Sequence, residues 1–165
     1  MRDWIKKDRL KFKVGSLEWM NYFGLPTGLV LFAIIFLIFV FKTDDADKKI
    51  GSIFCFIIGV LTYFLQLQRL KFKSFKFDNE LSDFRNYIRE ILKQSNWEID
   101  YDNELYLQAT FRGSLINLDM LTLRFSKTEI RWNVIRHPLS HNAIANLITI
   151  NIQGKKMIKQ IKASA

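Results

Sequence analysis

The chain has 165 residues, room for one small folded domain beside a membrane element and no third unit, since a domain takes roughly 100 residues. Hydrophobic residues make up 49% of it and the net charge is +9, yet residues 1–77 carry 13 Lys and Arg against 6 Asp and Glu, while residues 78–165 carry 12 against 10. The basic excess flanks the apolar runs instead of gathering on a phosphate-facing fold, which argues against a nucleic-acid binder, and the single Cys55 excludes an internal disulfide.

Residues 1–24 form a basic segment expected in the cytoplasm or at a membrane interface, ending in Trp19, Tyr22 and Phe23, a set that reads as an interfacial aromatic belt. Residues 25–68 read as a transmembrane helical hairpin. Its first run, 26–41, has 16 uncharged residues, about 24 Å of helix, and must borrow upstream residues to cross a core about 30 Å thick. The second, 50–68, has 19 residues, about 28 Å. A basic start before an apolar run also fits a secretory leader, but this run is too long for one, and Phe41-Lys42-Thr43-Asp44 lacks the small residues of a cleavage site. Pro26 fits an early helical position, where its missing N–H is least costly. Gly24 and Gly28 have the spacing of a helix-packing motif, but next to Pro26 they read better as a helix entry turn.

Orientation follows from Lys and Arg near the spans. Six precede the first and four follow the second (Arg69, Lys71, Lys73, Lys76), against Lys42, Lys48 and Lys49 in the connection. Both termini are therefore expected in the cytoplasm. Residues 69–77 form a basic juxtamembrane linker containing an echo: Arg9-Leu10-Lys11-Phe12-Lys13 recurs as Arg69-Leu70-Lys71-Phe72-Lys73. One reading is two topology signals. The other lays both copies along the leaflet, with Arg9, Lys11, Lys13, Arg69, Lys71, Lys73 and Lys76 at anionic headgroups, and Leu10, Phe12, Leu70, Phe72, Phe75 and Phe77 dipping toward the acyl boundary.

Residues 78–165 are expected to form a cytoplasmic α+β domain. Asp78 or Asn79 offers an N-cap and Glu80 a first-turn acid for a helix to about Gln94, with a stripe of Leu81, Phe84, Ile88, Ile91 and Leu92. The period then becomes two. Trp97, Ile99 and Tyr101 pair with Leu105, Leu107, Ala109 and Phe111 as a hairpin turning at Asp102-Asn103-Glu104; residues 120–125 and 129–136 form two more strands. Ile148, Ile150 and Ile152 read as a fifth strand and residues 155–162 as a closing helix. The fold class is α+β: a transmembrane helical hairpin followed by a small two-layer domain of helix, antiparallel sheet and C-terminal helix.

Chemical motifs are scarce. Asp100, Asp102 and Glu104 fail as a calcium loop, because the places needing glycine and a bidentate glutamate hold Leu105 and Phe111. His137 and His141 have zinc-ligand spacing, but Pro138 puts them in a loop and no third ligand stands nearby. No metal, cofactor or catalytic residue is assigned. Gln108, Thr110, Arg112, Thr122, Arg124, Arg131 and Asn133 alternate against the apolar positions, so the sheet's second face is expected to be solvated, with Arg112, Arg124 and Arg131 as a candidate partner face.

Two spans, a helix and a Trp97-led hairpin in an Ile-, Lys-, Asn- and Phe-rich α+β domain resemble small uncharacterised bacterial two-span membrane proteins over the whole length. The resemblance implies no activity and no site residue. The expectation is a non-catalytic inner-membrane protein whose cytoplasmic domain binds a partner or assembles a complex. Its partners would be membrane lipids and a protein or a second copy, with no nucleic acid. The alternative is a membrane-embedded immunity factor against a membrane-acting toxin.

Overall fold

The structure, a computed structural model, describes residues 8–40, 46–78, 80–112, 118–138 and 151–165. Helices α1 (Leu17–Val40) and α2 (Ala46–Arg69) each have 24 residues, about 36 Å, and both are long and apolar enough to cross a membrane. As expected, α1 recruits residues upstream of Pro26; Trp19, Tyr22 and Phe23 lie in its first two turns, but Tyr22 and Phe23 are buried against other parts of the protein and do not form an exposed belt. Only 22% and 17% of their most apolar stretches are buried, whereas a soluble core helix would be covered on most sides. Phe32, Ile35, Ile38 and Phe39 on α1, and Phe54, Leu61, Phe64 and Leu65 on α2, are all exposed.

The seam between the two helices repeats every seven residues: Pro26, Ala33 and Val40 are buried on α1, and Ser52, Gly59 and Gln66 on α2. Such a period keeps one stripe facing a neighbouring helix. Gly59 is a point of close approach, where a Cβ would stand 2.8 Å from Val30 Cγ2 and 3.1 Å from Val30 N. Gly24 and Gly28 lie within α1, not at its entry, and a Cβ on either meets nothing within 4 Å. The glycine that matters for packing is on the other helix, because only there does the partner backbone come close.

The domain is built on a five-stranded antiparallel sheet in the order β1-β5-β4-β3-β2: β1 (Lys73–Lys76), β2 (Trp97–Asp102), β3 (Tyr106–Arg112), β4 (Leu118–Phe125) and β5 (Glu129–Arg136). Helices α3 (Leu81–Gln94) and α4 (Ile152–Ala163) cover one face. Phe84, Ile88 and Leu92 of α3 and Met157, Ile158 and Ile161 of α4 bury against Leu107, Leu121, Leu123 and Ile130, the α+β packing expected from the alternation.

Four details differ from the sequence expectation. Lys73–Lys76, inside the expected linker, is an edge strand against β5; its lysines hide it, as charges commonly do on edges. The N-cap of α3 is Glu80, without a side-chain cap bond; its carboxylate instead accepts from Ser82 Oγ at 3.0 Å, while the Asp78 N–H donates to the Ala165 carbonyl at 3.3 Å. Asn79 is outside the described residues. Ile152 opens α4 and is exposed, so it does not extend a strand; Ile148 and Ile150 are outside the described residues. Finally, β2 bulges between Ile99 and Tyr101, which takes Asp100 out of the ladder.

Candidate functional site

The sheet's second face is not solvated. Gln108, Thr110, Thr122 and Asn133 are buried, and a second apolar cluster lies on that side: Leu10, Phe12, Tyr22, Phe23, Leu70, Met120 and Ile135, with Trp19, Tyr63, Leu67 and Phe72 beside it. Met120 and Ile135 project from this face of the sheet, while the rest come from the N-terminal end of α1, the C-terminal end of α2 and the segments next to them. The hairpin therefore docks on the domain. The polar residues survive burial because they are hydrogen-bonded, the condition for burying such groups without a large penalty. Gln108 Nε2 donates to Thr122 Oγ1 at 3.1 Å, Thr110 Oγ1 donates to Asp100, and Asn133 Nδ2 donates to the carbonyls of Arg69 (2.8 Å) and Lys71 (2.9 Å).

The two echo segments meet. Arg9 and Lys71 form an antiparallel bridge, the Leu10 N–H donates to the Leu70 carbonyl at 2.9 Å, and the Phe72 N–H donates to the Asp8 carbonyl at 3.1 Å. This ribbon turns Leu10, Phe12 and Leu70 onto the sheet, where each is at most 4% exposed. Phe77 is buried and Phe75 half-buried in the helix-side core. The apolar residues of the echo therefore face protein and do not dip toward acyl chains. The basic residues Arg9, Lys11, Lys13, Arg69, Lys71, Lys73 and Lys76 are all exposed.

Of the three arginines, two come together. Arg124 stands directly across from Arg131, an arrangement of like charges that costs stability in a sheet. Each has a local partner: the Arg124 guanidinium lies 5.8 Å from the Tyr106 ring centroid, and Arg131 reaches Asp8 and Glu129, both at 3.4 Å. Arg112 pairs with Leu118 at the other end of β3, six residues or about 20 Å from Tyr106. The arginines thus form a corner of two and one distant member.

The acids act as structural clamps. Arg85 reaches Asp102 and the carbonyls of Asn103 and Glu104, and Arg89 Nε donates to Asp102 Oδ2 at 2.6 Å, so α3 is tied to the β2–β3 turn. Burial works to raise the Asp102 pKa, but hydrogen bonds and charges from Arg89 and Arg85 outweigh it and hold it below the ordinary value of 3.8. Asp119 accepts the Gly154 N–H at 2.9 Å, capping α4 from a neighbouring strand; burial raises its pKa despite that bond and the opposing charge of Arg136. His137 continues β5, its N–H donating to the Leu118 carbonyl at 2.7 Å, and His141 is outside the described residues. Among the described residues no three His, Cys, Asp or Glu gather as metal ligands would.

One groove of about 470 Å³ opens where α2 ends. β1 stops at Lys73 opposite Trp132, whereas β5 runs on to Arg136, so the β5 edge past Trp132 has no β1 residue paired with it. The groove occupies that gap. Arg69, Lys71, Lys73 and Lys155 line it with Trp132 and Asn133, and Leu65 forms its apolar lip; among the described residues no acid lines it. Arg69, Lys71 and Lys73 are legible in the sequence as a basic cluster. Trp132, Asn133 and Lys155 are not, because only the fold brings them to residues more than fifty positions upstream.

No family model, curated protein or solved structure matches the chain.

Proposed function

We propose that the protein is a non-catalytic, two-span protein of the bacterial inner membrane, with both termini cytoplasmic, whose domain is held rigidly against the membrane to present a binding surface to a protein partner. The observation carrying this reading is the docking of the sheet's second face on the inner ends of the hairpin. A tethered domain on a flexible linker would sample many orientations; here Asn133 grips the backbone of residues 69 and 71, and the second apolar cluster fixes the angle. The surface best placed for a partner is the Arg124–Arg131 corner. It lies four residues along each strand, about 13 Å, from Met120 and Ile135, at the margin of the docked ribbon, where Arg131 reaches Asp8 at 3.4 Å, and it is half-exposed. A like-charged cross-strand pair breaks a local rule of sheet stability, and such breaks concentrate where function requires them.

A photo-crosslinking residue at Arg124, compared with one at Glu90 on α3, tests the proposal in intact cells. A discrete adduct from position 124 and none from position 90 supports it. Adducts from α1 or α2 positions alone, such as Phe36, would move the decisive contact into the bilayer and favour an immunity-type role.

A further inference from the structure

The geometry points to the groove at the end of α2 as a binding site for the phosphate of an anionic phospholipid headgroup. The inference rests on the reading that α1 and α2 cross the membrane. Three features combine. The first is charge: Arg69, Lys71, Lys73 and Lys155 converge from α2, the segment after it, β1 and α4, and the described lining of the groove includes three lysines and no Asp or Glu. A groove walled by protein focuses such a field on an anion more strongly than a flat basic surface does.

The second is hydrogen bonding. Trp132 Nε1 and Asn133 Oδ1 are both shielded from solvent and have no hydrogen-bond partner among the described residues, an uncommon state for buried polar atoms. Trp132 offers a donor to a phosphate oxygen, and Asn133 an acceptor to a headgroup hydroxyl. The Lys73 ammonium is held over the Trp132 ring, 5.4 Å from its centroid.

The third is position. Arg69 is the last residue of α2, at the level where a spanning helix leaves the hydrocarbon, and exposed Leu65 stands one turn deeper, about 6 Å toward the bilayer. The groove is therefore cationic where a headgroup sits and apolar where its chains begin. That order distinguishes a lipid from a soluble phosphate, which gains nothing from Leu65. Basic pockets beside the cytoplasmic ends of spans are recurrent places for headgroup capture.

The test uses the full chain in neutral detergent micelles, with fluorescent phosphatidylglycerol and phosphatidylcholine as probes. Saturable binding of phosphatidylglycerol, with phosphatidylcholine at least about tenfold weaker, is expected. The triple variant K71Q/K73Q/K155Q should lose that preference, while K156Q, on α4 outside the groove, should keep it. Equal binding of both lipids, or a preference unchanged in the triple variant, overturns the site. Competition by inorganic phosphate or glycerol phosphate at the concentration of the lipid would show a soluble anion to be the ligand and overturn the lipid assignment. Alkaline carbonate washing of native membranes is the separate check on spanning: protein released by the wash defeats the membrane reading itself, whereas retained protein without lipid preference defeats only the groove.

Discussion

Leu10 and Leu70, sixty residues apart and on opposite arms of the hairpin, are joined by a 2.9 Å backbone hydrogen bond and are buried together under the sheet. The repeated Arg-Leu-Lys-Phe-Lys sequence is thus used twice in one ribbon, with alternate residues turned in and out as in any strand pair. Cysteines at Arg9 and Lys71, in a Cys55→Ala background, should form an intramolecular disulfide under mild oxidation, because bridged residues of antiparallel strands lie within disulfide reach. Cysteines at Lys13 and Lys71, which are not bridged, should react more slowly. Equal rates for the two pairs would mean that the ribbon does not form.

Topology is a separate expectation. With both termini inside, a cysteine at Asp47 should react with an impermeant thiol reagent in intact cells, and one at Lys159 should react only after permeabilisation. Both sites are exposed, so access within the protein does not limit either. The reverse pattern would invert the orientation drawn from the charge count.

Gly154 sits where α4 lies close on the sheet, since a Cβ there would stand 2.1 Å from Val134 Cγ1. Gly154→Ala should destabilise the protein by about 1–3 kcal/mol through overpacking. Adding Val134→Ala should recover part of that loss, read as thermal unfolding of the two single variants and the double variant. Additive losses would show that the two residues do not meet.

Asp102 sets one part of the acid response. Its folded pKa lies below the ordinary 3.8, so the stability it contributes is complete above that value and is lost as pH falls through the folded pKa. Asp102→Asn should therefore lower the unfolding temperature at neutral pH and flatten its fall in acid, so that the two curves converge at low pH. Parallel curves would assign the acid response to other groups.

Gln66 is 1% exposed in the hairpin seam, and neither of its amide atoms has a hydrogen-bond partner among the described residues. Replacing an unsatisfied buried polar group with an apolar one of similar shape is commonly neutral or stabilising. Gln66→Met should leave the melting temperature in micelles unchanged or raised. A marked fall would show that the amide is engaged by water or lipid.

The sequence made the helix-side core legible, because Leu107, Leu121, Leu123 and Phe84 follow strict strand and helix periods. The second face misled because polar alternation reports a need for hydrogen bonds and not exposure: Gln108, Thr122 and Asn133 find their partners within the protein. Met120 and Ile135, apolar residues on that polar face, were the available signal. The echo carried real information, but pairing between its copies is a long-range contact that neither copy encodes alone. The groove was least legible, since Trp132, Asn133 and Lys155 join the basic cluster of residues 69–73 only through the fold.

Hydrogen exchange of the full chain in lipid nanodiscs, comparing the protein with Leu10→Ala, tests most directly whether hairpin and domain are one body. Leu10 is fully buried, and its truncation should cost about 2–5 kcal/mol. Because Leu10 packs with Met120 and Ile135, amides of β4 and β5 should exchange faster, together with residues 8–12 and 70–72. Faster exchange confined to residues 8–12 and 70–72, with β4 and β5 unchanged, would show that the sheet is stable without the hairpin and would contradict the account.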